Sequence, residues 1–208
     1  MSWDNQYKKL RDYIQSGQSD KAYSLLRISP NYKGYPVDYR PSSQEPTLLS
    51  IAVNTFERGD EKLIRYLLEA GADVNIWNNV QEPILATIMS KFPLRPSQEI
   101  SALQRDIASR TTDPQILSYA LYYVCWKFAV TGEENCKEQA IELVDFGADD
   151  KAAIGRLNRE LSTSRDLSGS SFSNCVRAEE IANLIENYVT QKRMQDRTLD
   201  SDIEEYGR

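Results

Sequence analysis

The chemistry open to this chain is limited first by a side chain it lacks: among 208 residues there is no histidine. That removes Ser-His-Asp and Cys-His arrangements, the imidazole general base and most histidine-containing metal sites. Catalysis would have to run on carboxylates, Lys or Tyr. The carboxylates occur as adjacent pairs, Glu133-Glu134, Asp149-Asp150 and Glu179-Glu180. Neighbours in a helix do not share a face, so these pairs read as solvated charge and not as an acid/base couple. Cys125, Cys136 and Cys175 form no CxxC pair, and an odd number leaves one thiol over in any disulfide scheme. This points to a reducing compartment. No Gly-rich phosphate loop, zinc spacing or acidic calcium loop is present. The expectation is therefore a chain without cofactor or metal that works by binding and not by catalysis.

The residues suited to binding are aromatic. Loop 30–41, PNYKGYPVDYRP, interleaves Tyr32, Tyr35 and Tyr39 with Lys33 and Arg40, and half of all tyrosines fall within residues 1–39. Tyrosine offers a large, rigid, amphipathic contact area at low entropic cost. The alternative is a loop folded back over the first helices. A second aromatic group, Tyr119, Tyr122, Tyr123, Trp126 and Phe128, lies in the apolar run 116–130. At fifteen residues including Lys127 this run is short of the roughly twenty that span a bilayer, so it reads as a buried helix, with Cys125 a small apolar core residue.

The elements that must hold these residues come from internal repeats, which set the fold when present. Gln44-Glu45-Pro46 returns as Gln81-Glu82-Pro83, and Gly71-Ala72-Asp73 returns as Gly147-Ala148-Asp149. TLLSIAV at 47–53 is echoed by ILATIMS at 84–90, and GQSDKAYSLL at 17–26 parallels GDEKLIRYLL at 59–68. LIRYLLEA (63–70) and QAIELVDF (139–146) carry apolar residues at helical spacing before each GAD. Each unit is thus two short helices and a turn. A hairpin of this size buries its apolar faces only by stacking on neighbours. Gly71 and Gly147 suit the left-handed position after a helix.

The segment 47–75, TLLSIAVNTFERGDEKLIRYLLEAGADVN, resembles an ankyrin repeat. Thr47, Leu49, Ala52, Gly59, Leu67, Leu68, Gly71, Ala72, Asp73, Val74 and Asn75 fall on positions of the family pattern, while Leu48 stands for its proline and Ser50 for its histidine. The resemblance implies an all-α, ankyrin-type solenoid of about four irregular repeats, at 4–40, 45–80, 82–112 and 114–150, capped by helices at 151–161 and 176–192. In 4–40, Val37-Asp38 stands where the Asp-Val of the GADVN tip would be. Pro93 and Pro96 must interrupt the third repeat, and Asp113-Pro114 reads as a helix start. The Ser-rich stretch 162–174 reads as a loop and 193–208 as a flexible acidic tail.

The resemblance also implies binding through hairpin tips and the concave face of the first helices. Carried onto this chain, the tip after GADVN is Ile76, Trp77, Asn78 and Asn79, with Trp77 at a position that is normally polar; the alternative is that Trp77 packs against the atypical neighbouring unit. The candidate partner-binding set is therefore Trp77, Ile76, Asn78, Asn79, Tyr32, Tyr35, Tyr39 and Arg40, with no catalytic or metal residues. The partner expected is another protein, which the chain would inhibit, sequester or recruit as an inhibitor, immunity-type protein or effector. The weaker alternatives are an acidic mimic of nucleic acid and an enzyme using carboxylates in a groove. Net charge is −6, split as +3 over residues 1–43 and −9 over the remainder, which disfavours direct nucleic-acid binding. The polar opening MSWDNQYKKL has no leader character, and no membrane association is expected. The expected location is cytoplasmic, or the host cytosol for a delivered effector.

Overall fold

The computed structural model describes residues 2–56, 61–77, 82–91, 98–163 and 171–206. Among these the regular structure is all helical, and the one β-type pairing is an isolated bridge between Trp77 and Pro83. The chain falls into two compact units, Met1–Ile116 and Leu117–Arg208, whereas the sequence reading draws one repeat domain over 1–192.

The first unit contains α1 (Trp3–Gln15), α2 (Ser19–Ile28), a 3-10 turn (Pro30–Tyr32), α3 (Leu48–Asn54), α4 (Glu61–Glu69), α5 (Ile84–Lys91) and α6 (Gln98–Arg110). The helices pair as α1 with α2, α3 with α4 and α5 with α6. Across pairs, α3 packs on both α1 and α5, while α4 packs on both α2 and α6. The apolar spacing explains this pattern. α4 buries Leu63, Ile64, Leu67 and Leu68 on one face, at the i, i+1, i+4, i+5 positions of an amphipathic stripe. α3 buries six of its seven residues, because it is covered on three sides.

Local signals set the ends. Thr47 is the N-cap of α3 and accepts from Ser50 N at 3.2 Å, so this helix start is held by its capping threonine. Three helices end in one hydrogen-bond pattern. Gly71 N donates to Leu68 O and Ala72 N to Leu67 O; Gly147 N to Val144 O and Ala148 N to Leu143 O; Gly17 N to Ile14 O and Gln18 N to Tyr13 O. With φ of +87°, +100° and +71° at these glycines, each is a Schellman cap. The recurrence at Gly17 gives the N-terminal hairpin the same closing device as the clear repeat.

Polar side chains then link successive turns of the first unit. Asp38 accepts from Asp73 N at 3.1 Å, Asp73 accepts from Asn75 N at 2.8 Å, and Asn75 Oδ1 accepts from Thr112 N at 2.9 Å and Asp113 N at 3.0 Å. Two of these links span 35 and 37 residues, one repeat period each. Asn75→Ala leaves two backbone donors without this acceptor and is expected to cost about 1–2 kcal/mol. Asn75→Asp, which keeps the acceptor, should lose less. Urea unfolding read beside amide exchange at Thr112 and Asp113 checks the pair of variants.

The second unit holds most of α7 (Pro114–Thr131), with α8 (Asn135–Asp145), α9 (Asp150–Thr163) and α10 (Ser171–Tyr206). α10 packs on α8 and α9. Asp113 Oδ1 accepts from Gln115 N at 2.8 Å at the start of α7, with Pro114 at the first helical position, where its missing N–H is harmless. Where the sequence suggests a flexible tail from 193, α10 continues to Tyr206. Residues 171–206 contain no Gly or Pro to stop it, and Asp145 holds both Tyr188 Oη at 2.6 Å and Lys192 Nζ at 2.7 Å. Those two bonds hold the Asp145 carboxyl below its ordinary pKa.

Candidate functional site

The six described residues of the candidate set do not share one exposed surface. Tyr32 is buried at 4% exposure, Tyr35 and Tyr39 are half-buried, and Arg40 is exposed. Loop 30–41 lies over α1. Tyr35 meets Trp3 edge-on with centroids 5.7 Å apart, Tyr39 meets Tyr7 at 6.5 Å, and Tyr35 stands between Tyr32 and Tyr39 at 6.3 and 6.1 Å. Tyr39 Oη also donates to the Asp4 carboxylate, and that bond raises its pKa. Burial is the main cause raising the Tyr35 phenol as well. The tyrosine cluster therefore closes the first helical hairpin, and of the four loop residues only Arg40 is left fully to solvent.

This cap is anchored through a residue that the sequence reading passed over. Tyr7, 1% exposed in the middle of α1, donates to Pro46 O at 2.7 Å, and Arg11 Nη1 lies 3.3 Å from Glu45 Oε2. Burial, then the Glu45 charge, push the Tyr7 phenol up to about 12, so it stays a donor. The first Gln-Glu-Pro motif thus ties α1 to the start of α3. The visible signal was the motif itself; its partner lies 39 residues away with no local mark.

The second Gln-Glu-Pro does different work. Ile84 N donates to Ile76 O at 3.3 Å, and Trp77 bridges to Pro83, so the chain segments flanking 78–81 are held together. Asn78 and Asn79 fall outside the described residues. Ile76 is half-buried and Trp77 is 40% exposed. Exposed indole is unusual because its large apolar area is costly in water, and such residues concentrate binding energy when a partner covers them.

The aromatic group of α7 is partly core. Tyr122 and Phe128 are buried, while Tyr119, Tyr123 and Trp126 are half-buried. Arg156 of α9 stacks over Tyr119 and Tyr122 at 4.5 and 4.4 Å and lies 3.3 Å from Glu160, which also accepts from Tyr122. Burial first, then that bond to Glu160, raises the Tyr122 phenol. The arrangement leaves no free base beside an acid; the groups are spent on one another.

The chain matches no family model and no curated protein.

Among the described residues no group of three or more Cys, Asp or Glu is placed to hold a metal ion. Two of the three thiols, Cys125 and Cys136, are buried and poorly disposed to react. Burial pushes Cys125 up to about 12 and Cys136 up to about 11, far above the range in which a thiolate forms. Glu133 departs from the sequence reading of solvated charge. Its side chain is 9% exposed and Oε2 lies 3.1 Å from Nζ of Lys127, itself 14% exposed. Neither carboxylate oxygen accepts an aligned hydrogen bond among the described residues. The turn between α7 and α8 folds Glu133 back beneath α7, a position that adjacency to Glu134 could not reveal. No described helix is long and apolar enough to cross a membrane.

Proposed function

We propose that the chain is a non-enzymatic protein-binding module, built as an irregular ankyrin-type stack, that holds a partner protein at the hairpin tip carrying Trp77. The solenoid reading is supported by the alternate packing of α1, α3 and α5 and of α2, α4 and α6, by the three like Schellman caps, and by the Asp38–Asp73 and Asn75–Thr112 links one period apart. The observation that carries the binding reading is Trp77, exposed on a tip whose two sides are pinned by Ile76 and Pro83. A rigid support for an exposed aromatic lowers the entropy lost on association. Ile76 and Arg40 extend the same reading, whereas Tyr32, Tyr35 and Tyr39 serve it indirectly by closing the first hairpin. Cys125 and Cys136, buried and outside any disulfide, suit a reducing compartment, and we propose a cytosolic location on that ground.

Affinity capture from native lysate, followed by titration of the captured partner, tests this reading. Trp77→Ala should weaken binding at least about thirty-fold, the effect of a hot-spot loss of roughly 2 kcal/mol, with the unfolding midpoint unchanged. Capture of no stoichiometric protein, or full retention by Trp77→Ala, overturns it.

A further inference from the structure

A cleft of about 550 Å³ opens in the first unit between the end of α2, the 3-10 turn and α4. Its size lies in the range of small-molecule sites, about 300–1,000 Å³. Leu26 and Leu67 give it an apolar side, and Tyr32, Tyr35 and Tyr66 contribute rings. Two of its lining residues are cations, Arg27 and Lys33, and none is an aspartate or glutamate. In a chain with 31 acidic against 25 basic residues, a cleft lined by one sign of charge is a departure that asks for a reason.

Neither cation pairs with a carboxylate among the described residues. Arg27 Nη1 donates to the neutral Tyr23 hydroxyl at 2.8 Å and its guanidinium lies over that ring. This fixes the side chain while leaving its charge uncompensated. Lys33 is exposed and meets no carboxylate among the described residues. The hydroxyls of Tyr32 and Tyr35 are buried away from the opening, so these two residues offer the cleft ring surface and not donors. Gly34, between Lys33 and Tyr35, adopts φ +77° with open space where a Cβ would stand, so the cleft wall is unobstructed there.

We infer that this cleft binds a small organic anion, a carboxylate or phosphate carried on an apolar body. The acid group pairs with Arg27 and Lys33 at the rim, and the body lies against Leu26, Leu67 and the tyrosine rings. Guanidinium and ammonium together favour an oxyanion, and the absence of a lining carboxylate removes the like-charge repulsion that would exclude one. The inference does not rest on the Trp77 tip, which belongs to a different turn.

The test is amide-resolved NMR titration of the full chain with phenyl phosphate, phenylacetate and the neutral phenylacetamide. A fourth probe, acetyl-Glu-Phe-amide, presents the same acid on a peptide. The acids should shift amides of residues 26–37 and 66–70 with Kd of about 1 mM or tighter, the reach of a ligand of roughly ten heavy atoms. The amide should bind at least about ten-fold more weakly, because it lacks the charge that the cations recognise. If the dipeptide outcompetes the free acids, the natural source is an acidic side chain; if not, it is a free small acid. Arg27→Gln should weaken the acids about ten-fold, the effect of losing one charge-assisted contact. Ala70→Glu, which adds a carboxylate at an exposed position on the cleft wall, should abolish their binding while leaving helix packing intact. Trp77→Ala should change none of these values, which separates this site's failure from failure of the protein-binding reading. Absence of shifts at 10 mM acid, equal binding of acid and amide, or retention by folded Ala70→Glu overturns the inference.

Discussion

Lys127→Met is expected to destabilise the second unit by about 3 kcal/mol, the lower part of the range for breaking a buried ion pair from one side. The variant keeps an unbranched apolar side chain in α7 but leaves the mostly buried Glu133 carboxylate without its ion-pair partner. Neither Glu133 oxygen has an aligned hydrogen bond to fall back on. Removing both charges together should recover most of the loss. Lys127→Met with Glu133→Leu is expected within about 1 kcal/mol of the parent, since a well-packed apolar pair often equals a buried salt bridge. The measurement is urea unfolding of the parent, both single variants and the double variant, with hydrogen exchange over α7 and α8 confirming that the change resides there. Equal stability of parent and Lys127→Met would show that water reaches the pair and shields it.

Leu49→Ala is the second large effect, at about 3 kcal/mol, within the range for deleting a fully buried leucine side chain. Leu49 is wholly buried in α3, and α3 packs against α1, α4 and α5. A helix enclosed on three sides has little freedom to collapse into the void, so the cavity penalty adds to the lost transfer energy. Leu49→Met, which conserves volume, should cost less than about 1.5 kcal/mol. Thermal and urea unfolding of the two variants decides the matter: similar losses for both would mean that the site repacks, contrary to the close enclosure of α3.

Much of the architecture was legible in the chain itself, because it depends on short-range rules. Apolar spacing in 63–68 marked the buried face of α4. Gly71 and Gly147 marked the left-handed caps, and Asp113-Pro114 marked the start of α7. Each is a matter of residues within a few positions of one another. The Gln-Glu-Pro echo was visible too, although its two copies do different work: one anchors Tyr7, while the other flanks the tip at Trp77.

The candidate site was legible only in part. Tyrosine in 30–41 looked equally suited to meeting a partner or covering the first helices, and composition cannot choose between them. The choice depends on Trp3 and Tyr7, which present ring edges to that loop. The cleft beside Arg27 and Lys33 was hidden because its walls come from positions 26–37 and 66–70, joined only by the packing of α2 on α4. Glu133 was misread for the same reason: charge beside charge suggests solvent, until a turn carries one of the two under a helix.

By itself, then, the sequence determined that this is a helical protein without histidine chemistry, made of hairpins that recur with glycine-capped ends. Those properties follow from side-chain inventory and local backbone preference. Tertiary structure alone decided which aromatics are cap and which are surface, that Lys127 and Glu133 pair at a largely covered site, and that two cations and three tyrosine rings gather around one cleft. Burial and charge pairing are sums over neighbours distant in the chain, and only the folded packing brings those neighbours together.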